Sequence, residues 1–452
     1  MAMTDNLLQA QADLATAIDI LDKWTAHNLR EKHLPGLALG LVYGGELLWG
    51  KGYGVANLET GQPVTLDTRF RIASISKTFT ATGILQLRDA GKLRLDDPVS
   101  QYLDWFDLRY RDAPEITIRN LLTHTSGLPR DSVNAMWTDC AAPGWEEFIA
   151  QTRSRQPTRA PYENYAYSNL GYSLLGGIIA AVSGGSWADY LRQNVLAPLG
   201  MTETYPVPDA EDAQLATGYT REKDDGRRDA FPFWKMNAFE ASANFASSVN
   251  DLVKYAAFHL GLRGDAVLSS YTLYDMHRVH WLEESWKGGY GLGMGLHKIA
   301  DWVISGHGGG YPGYLTAFTL CRERKTGVIA LSNSLGSNPH QIAERAYKLV
   351  LPELIKATTE PTQEANLAWG KYVGDYVSEW ALQKVVIRDG QLQLLTLDDL
   401  DGKPTLLDPT GDEAVFVLRQ AGQSNETLRF ELDAEGDVVR MWERNEYSAR
   451  IN

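Results

Sequence analysis

Apolar residues recur at helical spacing from the start of the chain. Leu7, Leu8, Leu14, Ile18, Leu21 and Trp24 share a face and predict an amphipathic helix ending before Pro35. Apolar runs at 36–42 and 47–53 flank Gly44-Gly45 and predict a β-hairpin. A helical pattern over 74–90 is apolar on most faces through Phe79, Ile84 and Leu87 and stops at Gly91, the mark of a buried helix. From about 92 to 240 short helical patterns alternate with Pro/Gly/Asp loops. Helical spacing recurs at 168–182, 186–196 and 250–262. Strand-like runs return at 301–305, 314–320 and 327–332, before a last helix over about 339–351. Early and late strands bracketing a helical insert predict one sheet built from both ends, an α+β arrangement.

The stretch 352–368 contains Thr358, Thr359, Glu360 and Pro361 with little periodicity and reads as a linker. Beyond it, apolar runs at 385–387, 392–395, 415–418, 428–432 and 438–442 are separated by Asp-Gly, Thr-Gly and Glu-Gly turns. That spacing predicts a small antiparallel β-barrel or sandwich over 369–452, after a main domain at 1–351 whose helical subdomain spans about 92–240.

Charge narrows the partners. Acidic side chains outnumber basic ones by 57 to 43, a net charge of −14, which argues against nucleic acid and anionic membrane surfaces. With 452 residues, 44% hydrophobic and 22% charged, the chain has the makeup of a folded protein of two or three units. No apolar run approaches the ~20 residues that cross a bilayer. Residues 1–29 lack the basic start and apolar block of an export signal, and the expectation is a cytoplasmic protein. The two cysteines, Cys140 and Cys321, make neither a disulfide framework nor a structural zinc site.

Ser74-Ile75-Ser76-Lys77 is the main chemical signal. A serine hydroxyl is a poor nucleophile without an adjacent base or cation. Positions three apart share a helix face, so the Lys77 amine can reach the Ser74 hydroxyl, and the helix N-terminus favours developing negative charge there. The plain alternative is an N-cap serine with a lysine extending past it.

Further segments accompany it in order: Arg71-Ile72-Ala73 before Ser74; Ile116-Thr117-Ile118-Arg119-Asn120-Leu121-Leu122-Thr123-His124-Thr125-Ser126-Gly127-Leu128-Pro129; Tyr167-Ser168-Asn169; Pro198-Leu199-Gly200-Met201; and Gly306-His307-Gly308-Gly309-Gly310. Together they resemble the serine β-lactamase and penicillin-binding-protein superfamily, in the branch holding class C β-lactamases, family VIII esterases, D-aminopeptidases and D-Ala-D-Ala carboxypeptidases. The resemblance covers about residues 30–350, and the segment after 369 looks similar to the lipocalin-like domain of some peptidase members. It implies a β-lactamase-like α/β sandwich with a helical subdomain, followed by a small barrel.

The resemblance also implies roles. Ser74 matches the nucleophile, Lys77 its activating lysine, and Tyr167 the tyrosine that acts as base and then as proton donor to the leaving group. Asn169 matches the residue orienting Lys77 and the acyl amide, and His307 and Gly309 match the third motif. The oxyanion hole is then the backbone N–H groups of Ser74 and Gly310. Free tyrosine titrates near ~10 and lysine near ~10.4, so deprotonating either at neutral pH costs roughly 4–5 kcal/mol. A cation about 4 Å away returns about 4 kcal/mol at an effective dielectric of about 20. Desolvation could equally make Lys77 the base. The preferred reading is Tyr167 as base beside a charged Lys77, with the two groups coupled.

His307, titrating near ~6.5, is a weaker anchor for a substrate carboxylate than the lysine of many relatives, which favours esters and peptides over β-lactams. Two positions depart from the family: Pro161-Tyr162 stands where many relatives have Pro-Gly, and Ala243-Asn244 where many have a glycine pair. Tyr162 is expected to reshape the approach to Tyr167.

Other matches are set aside. Lys325-Thr326-Gly327 spells the lactamase third motif but falls where a hairpin turn is expected. Gly308–Gly313 fits a dinucleotide glycine pattern, yet a strand follows it. His277 and His280 read as a solvent-facing pair, His124 as a structural hydrogen-bonder beside the site, and the charged run 223–228 as a solvated loop tip. Phe233 and Trp234 are candidates to line the acyl pocket. The expected protein is a serine hydrolase for small esters, short peptides or D-amino-acid amides, with weak or no β-lactamase activity and no metal or organic cofactor. The competing class is an inactive binding scaffold. Residues 369–452 are a candidate for shaping substrate access or joining subunits.

Overall fold

Strands from both ends of the main unit form one eight-stranded antiparallel sheet in the computed structural model, which describes residues 2–131, 136–358, 367–388, 391–396, 405–419 and 426–451. The order is Glu46–Gly54, Gly36–Tyr43, Thr326–Ser332, Tyr314–Cys321, Trp302–Tyr311, Gly295–Ile299, Gly288–Tyr290 and Trp281–Leu282. Thr326–Ser332 is buried at every position, because both faces of the central sheet are covered.

Register places the chemistry on one face. Gly40 pairs with Ile329, Ile329 with Phe318, and Phe318 with His307, so this row points to the same side. A Cβ at Gly40 would strike Val249 of the helix Val249–His259, which fixes that helix on the His307 side. A Cβ at Gly308 would lie 2.0 Å from His340, so the helix Pro339–Thr358 covers the opposite side. That helix continues through Pro352 to Thr358, beyond the predicted end at 351. Burial of Ile342, Ala346 and Val350 holds it despite the missing proline N–H.

The helix Ser76–Asp89 is buried almost all round, as its pattern predicts, with Phe79 stacked between Phe245 and Tyr255 at 4.5 and 3.8 Å. Before it the chain makes a 3-10 turn, Ala73–Ile75, rather than a further α-helical turn.

The chain divides into two units, Thr16–Pro352, and Glu353–Asn452 with Met1–Ala15. In the second, eight strands form a closed antiparallel barrel in sequence order from Gly374–Val377 to Glu446–Ile451, with Tyr376 paired to Arg450. Its interior is filled by Tyr372, Phe416, Phe430 and aliphatic neighbours. Residues 359–366, about half of the predicted linker, lie outside the described residues.

The charged run at 223–227 is exposed, as predicted, and only its last member departs. Arg228 is half-buried and donates to the carbonyls of Lys32, His33, Thr220 and Leu335 and to Ser334 Oγ, so it ties strand ends together. His277 is buried, not solvent-facing. Its Nε2 lies 3.0 Å from His259 Nδ1 and its Nδ1 2.8 Å from Ser305 Oγ. His280 is also largely enclosed, its Nε2 2.9 Å from the Asp275 carbonyl. The partner His259 lies on another helix, 18 residues away, where spacing around His277 gives no hint of it.

Burial pushes the His259 and His277 imidazoliums well below their ordinary range, so both rings are neutral when folded. In the unfolded chain they titrate near ~6.5, so the unfolded state binds protons first as pH falls. Their stabilising contribution is complete above about pH 6.5 and is lost below it. Thermal melts are therefore expected to show Tm falling steadily from pH 7 to about pH 5, above the range where most carboxylates titrate. A flat Tm across that window contradicts neutral buried histidines.

Candidate active site

From Thr68 to Leu85, Ser74 is the single residue that is not buried. The turn presenting it is over-determined. Ile72 N donates to the Phe245 carbonyl (2.9 Å), Thr316 Oγ1 to the Ile72 carbonyl (3.1 Å), and Ser76 Oγ to the Ala73 carbonyl (2.6 Å). These bonds hold Ala73 in the left-handed region at φ 51, a conformation an alanine adopts only under constraint. Gly309 explains how the strand Trp302–Tyr311 reaches the turn: a Cβ there would lie 2.3 Å from the Ile72 carbonyl and 2.1 Å from Thr316 Oγ1.

Lys77 is fully buried one turn on. Its Nζ lies 3.2 Å from Ser74 Oγ, 2.7 Å from Asn169 Oδ1 and 2.7 Å from the Ser242 carbonyl. The last two oxygens only accept, so they take two N–H donors and leave the third direction of the nitrogen to Ser74.

Tyr167 and Asn169 arrive together because Ser168 caps the helix Asn169–Ser183. Ser168 Oγ accepts from Gly171 N at 2.9 Å, which leaves Tyr167 just outside the helix and Asn169 in its first turn. Asn169 Nδ2 donates to Asp131 Oδ1 at 2.7 Å, fixing which amide atom faces Lys77. Tyr167 faces the Ser74 side chain, its ring centroid is 4.8 Å from Lys77 Nζ, and Arg130 lies over the ring at 5.2 Å. His124 supports the ring at 4.3 Å and accepts from Ser168 N through Nδ1, as expected of a structural residue.

Electrostatics reverse the preferred protonation state. Burial, the largest influence on each group, drives the Lys77 ammonium well below its ordinary value and the Tyr167 phenol well above. The arrangement therefore favours a neutral amine beside a protonated phenol, not a phenolate beside an ammonium.

His307 stands on the same side, its ring centroid 6.1 Å from that of Tyr167. Nδ1 donates to the Gly308 carbonyl at 2.6 Å, so Nε2 accepts from the Tyr290 hydroxyl at 3.1 Å. Burial, the largest influence, lowers its pKa to about 3, so the imidazole carries no charge at neutral pH. Tyr165, Tyr167, Tyr290, His307 and His340 line a cavity of about 270 Å³.

Ser74, Lys77 and Asn169 are thus joined by hydrogen bonds, the Tyr167 ring lies against Lys77, His307 stands across from Tyr167, and Gly309 packs beneath the turn. Gly310 is exposed. Phe233 and Trp234 lie elsewhere, against Arg71 and Tyr311 beside a second cavity. Tyr162 turns toward Arg119, Thr117 and Asn120. Lys325-Thr326-Gly327 forms the end of a hairpin, with Lys325 Nζ on the Leu260 carbonyl. Asp131, the Ser242 carbonyl and Tyr290 escaped sequence reasoning.

Comparison with known proteins fits this geometry. The family described as Beta-lactamase matches residues 21–351. The chain is similar to Beta-lactamase-like protein 2 of Dictyostelium discoideum, 30% identical over 95% of this chain and 82% of that one. It is similar to the D-aminopeptidase of Brucella anthropi, 29% identical over 78% and 66% of the two chains. Among solved structures it is similar to the octameric penicillin-binding protein homologue from Pyrococcus abyssi, with TM-score 0.68 and 27% identity, covering 95% of this chain and 99% of that one.

Proposed function

Because the chain belongs to the β-lactamase family and is a serine hydrolase, we propose that Ser74 is its nucleophile, acting through an acyl-enzyme on amides of short peptides or D-amino acids and on small esters. The observation that carries this is the Lys77 amine, held by two acceptor-only oxygens with its remaining direction on Ser74 Oγ.

In this reading the neutral Lys77 takes the Ser74 proton as Oγ attacks the carbonyl carbon. The backbone N–H groups of Ser74 and Gly310 hold the oxyanion. The protonated Tyr167 gives its proton to the departing amine or alcohol and is reprotonated by Lys77, which holds the proton taken from Ser74. Water then releases the acyl group from Ser74. The name of the Brucella anthropi relative supports D-amino-acid amides as substrates. The uncharged His307 supports weak use of carboxylate-bearing β-lactams.

Side-by-side assays with D-amino-acid p-nitroanilides, p-nitrophenyl esters and nitrocefin test the assignment. Anilides and esters are expected to turn over well ahead of nitrocefin. Tyr167→Phe is expected to slow the anilide about a hundredfold and the ester much less, because p-nitrophenolate leaves without a proton. Nitrocefin as the best substrate, or equal losses on ester and anilide, contradicts the proposal.

A further inference from the structure

Arg71 lies three residues before Ser74 and is 2% exposed. Among the described residues no carboxylate forms an ion pair with it. Its one hydrogen-bonded partner is Asn244, whose Oδ1 accepts from Nη2 at 2.7 Å, and its Nε is buried with no acceptor. The guanidinium lies over the rings of Tyr311, at 4.3 Å, and Phe233, at 5.3 Å. Ring faces offset part of the desolvation of a cation, and the Glu240 carboxylate acts on it from beyond ion-pair distance, but a buried guanidinium without a direct ion pair still lacks its strongest partner.

The same side chain lines a cavity of about 190 Å³, outside the cluster around Ser74. Trp234 also lines it, and its Nε1 is a second buried donor without an acceptor. The other polar lining groups are occupied. Asp212 accepts from Arg69 Nε and Nη2 at 2.7 and 2.6 Å, Tyr311 donates to the Trp234 carbonyl, and Tyr314 donates to the Ala216 carbonyl. One cavity thus gathers a guanidinium that forms no ion pair and an N–H without an acceptor, while its lining carboxylate, Asp212, is paired with Arg69.

We propose that this cavity binds a small monoanionic carboxylate, its oxygens on Arg71 and Trp234 and its short apolar tail against Phe233 and Tyr311. The guanidinium edge presents paired donors matched to a carboxylate. The volume is below the ~300–1,000 Å³ of drug-sized pockets, so the tail is a few carbons long. One cation in the lining, with the Asp212 carboxylate held by Arg69, favours a monoanion over a phosphate dianion. The carboxylate belongs either to a substrate whose scissile carbonyl sits at Ser74 or to a free acid.

The test uses the full chain and sodium propionate, with sodium chloride at equal ionic strength as the control. Wild type is expected to show a saturable rise in Tm with propionate, since a ligand of the folded state stabilises it. Arg71→Gln is expected to weaken that response about tenfold or more. Because Arg71→Gln can fail to fold, Ala210→Trp is the second variant. Ala210 is exposed at the cavity, and a large side chain there blocks entry while leaving the unliganded Tm unchanged. Equal Tm in propionate and chloride, or an undiminished response in Ala210→Trp, overturns the proposal. Once binding is seen, competitive inhibition of ester hydrolysis, with a higher KM for carboxylate-bearing esters in Arg71→Gln alone, assigns the carboxylate to the substrate. Binding without competition assigns it to a free acid. The melting readout needs no turnover, so its failure is distinct from failure of the hydrolase reading.

Discussion

Lys77→Met is expected to lower kcat/KM at least about a thousandfold with Ser74 in place, because the hydroxyl loses the group that takes its proton. Methionine fills similar space but leaves Asn169 Oδ1 and the Ser242 carbonyl without their donor. Each buried unsatisfied acceptor costs about 1–3 kcal/mol, so a lower Tm accompanies the loss of rate. The two effects separate by temperature: well below the variant's Tm, folded protein is present and still slow. A loss under tenfold in folded Lys77→Met contradicts the role of the amine.

The second large effect comes from a single methyl group. Gly309→Ala places a Cβ against the Ile72 carbonyl and Thr316 Oγ1, where backbone must move. Overpacking of this kind costs about 1–3 kcal/mol. The displaced Ile72 carbonyl also accepts from Thr316 Oγ1 and Ile75 N, so the shift passes into the turn carrying Ser74. A misplacement near 1 Å is worth about a hundredfold in rate, so kcat is expected to fall by about that factor alongside Tm. Gly310→Ala is the control, since its Cβ would meet only Leu315, at 3.7 Å. It is expected to keep the wild-type Tm. Similar Tm values for the two variants contradict the close approach described at Gly309.

What the sequence made legible was what lies close along the chain. Ser74 and Lys77 share a helix face, and Tyr167 and Asn169 flank a cap residue, so local spacing alone predicts each pair. The hairpin from 36 to 53 and the buried helix after Ser74 follow from period and turn residues in the same way. What spacing missed comes from afar. The Ser242 carbonyl has no side-chain identity to read, and Asp131 and Tyr290 reach the site through pairings 38 and 17 residues distant. His277 looked exposed because its partner His259 sits on another helix. The barrel strands Gly374–Val377, Thr405–Pro409 and Glu446–Ile451 escaped notice because they are short or place a single residue inside. The direction of the Lys77 and Tyr167 shifts was hidden for a related reason: a buried amine and phenol are ruled by desolvation, and burial is a property of the fold.

Treating the full chain with a fluorophosphonate and locating the adduct by peptide mass spectrometry tests the central claim most directly. The account predicts one phosphonyl group on Ser74, with amide and ester hydrolysis lost in proportion to labelling and no adduct in Ser74→Ala. Hydrolysis that persists in Ser74→Ala, or a label on another residue while Ser74 stays free, would contradict it.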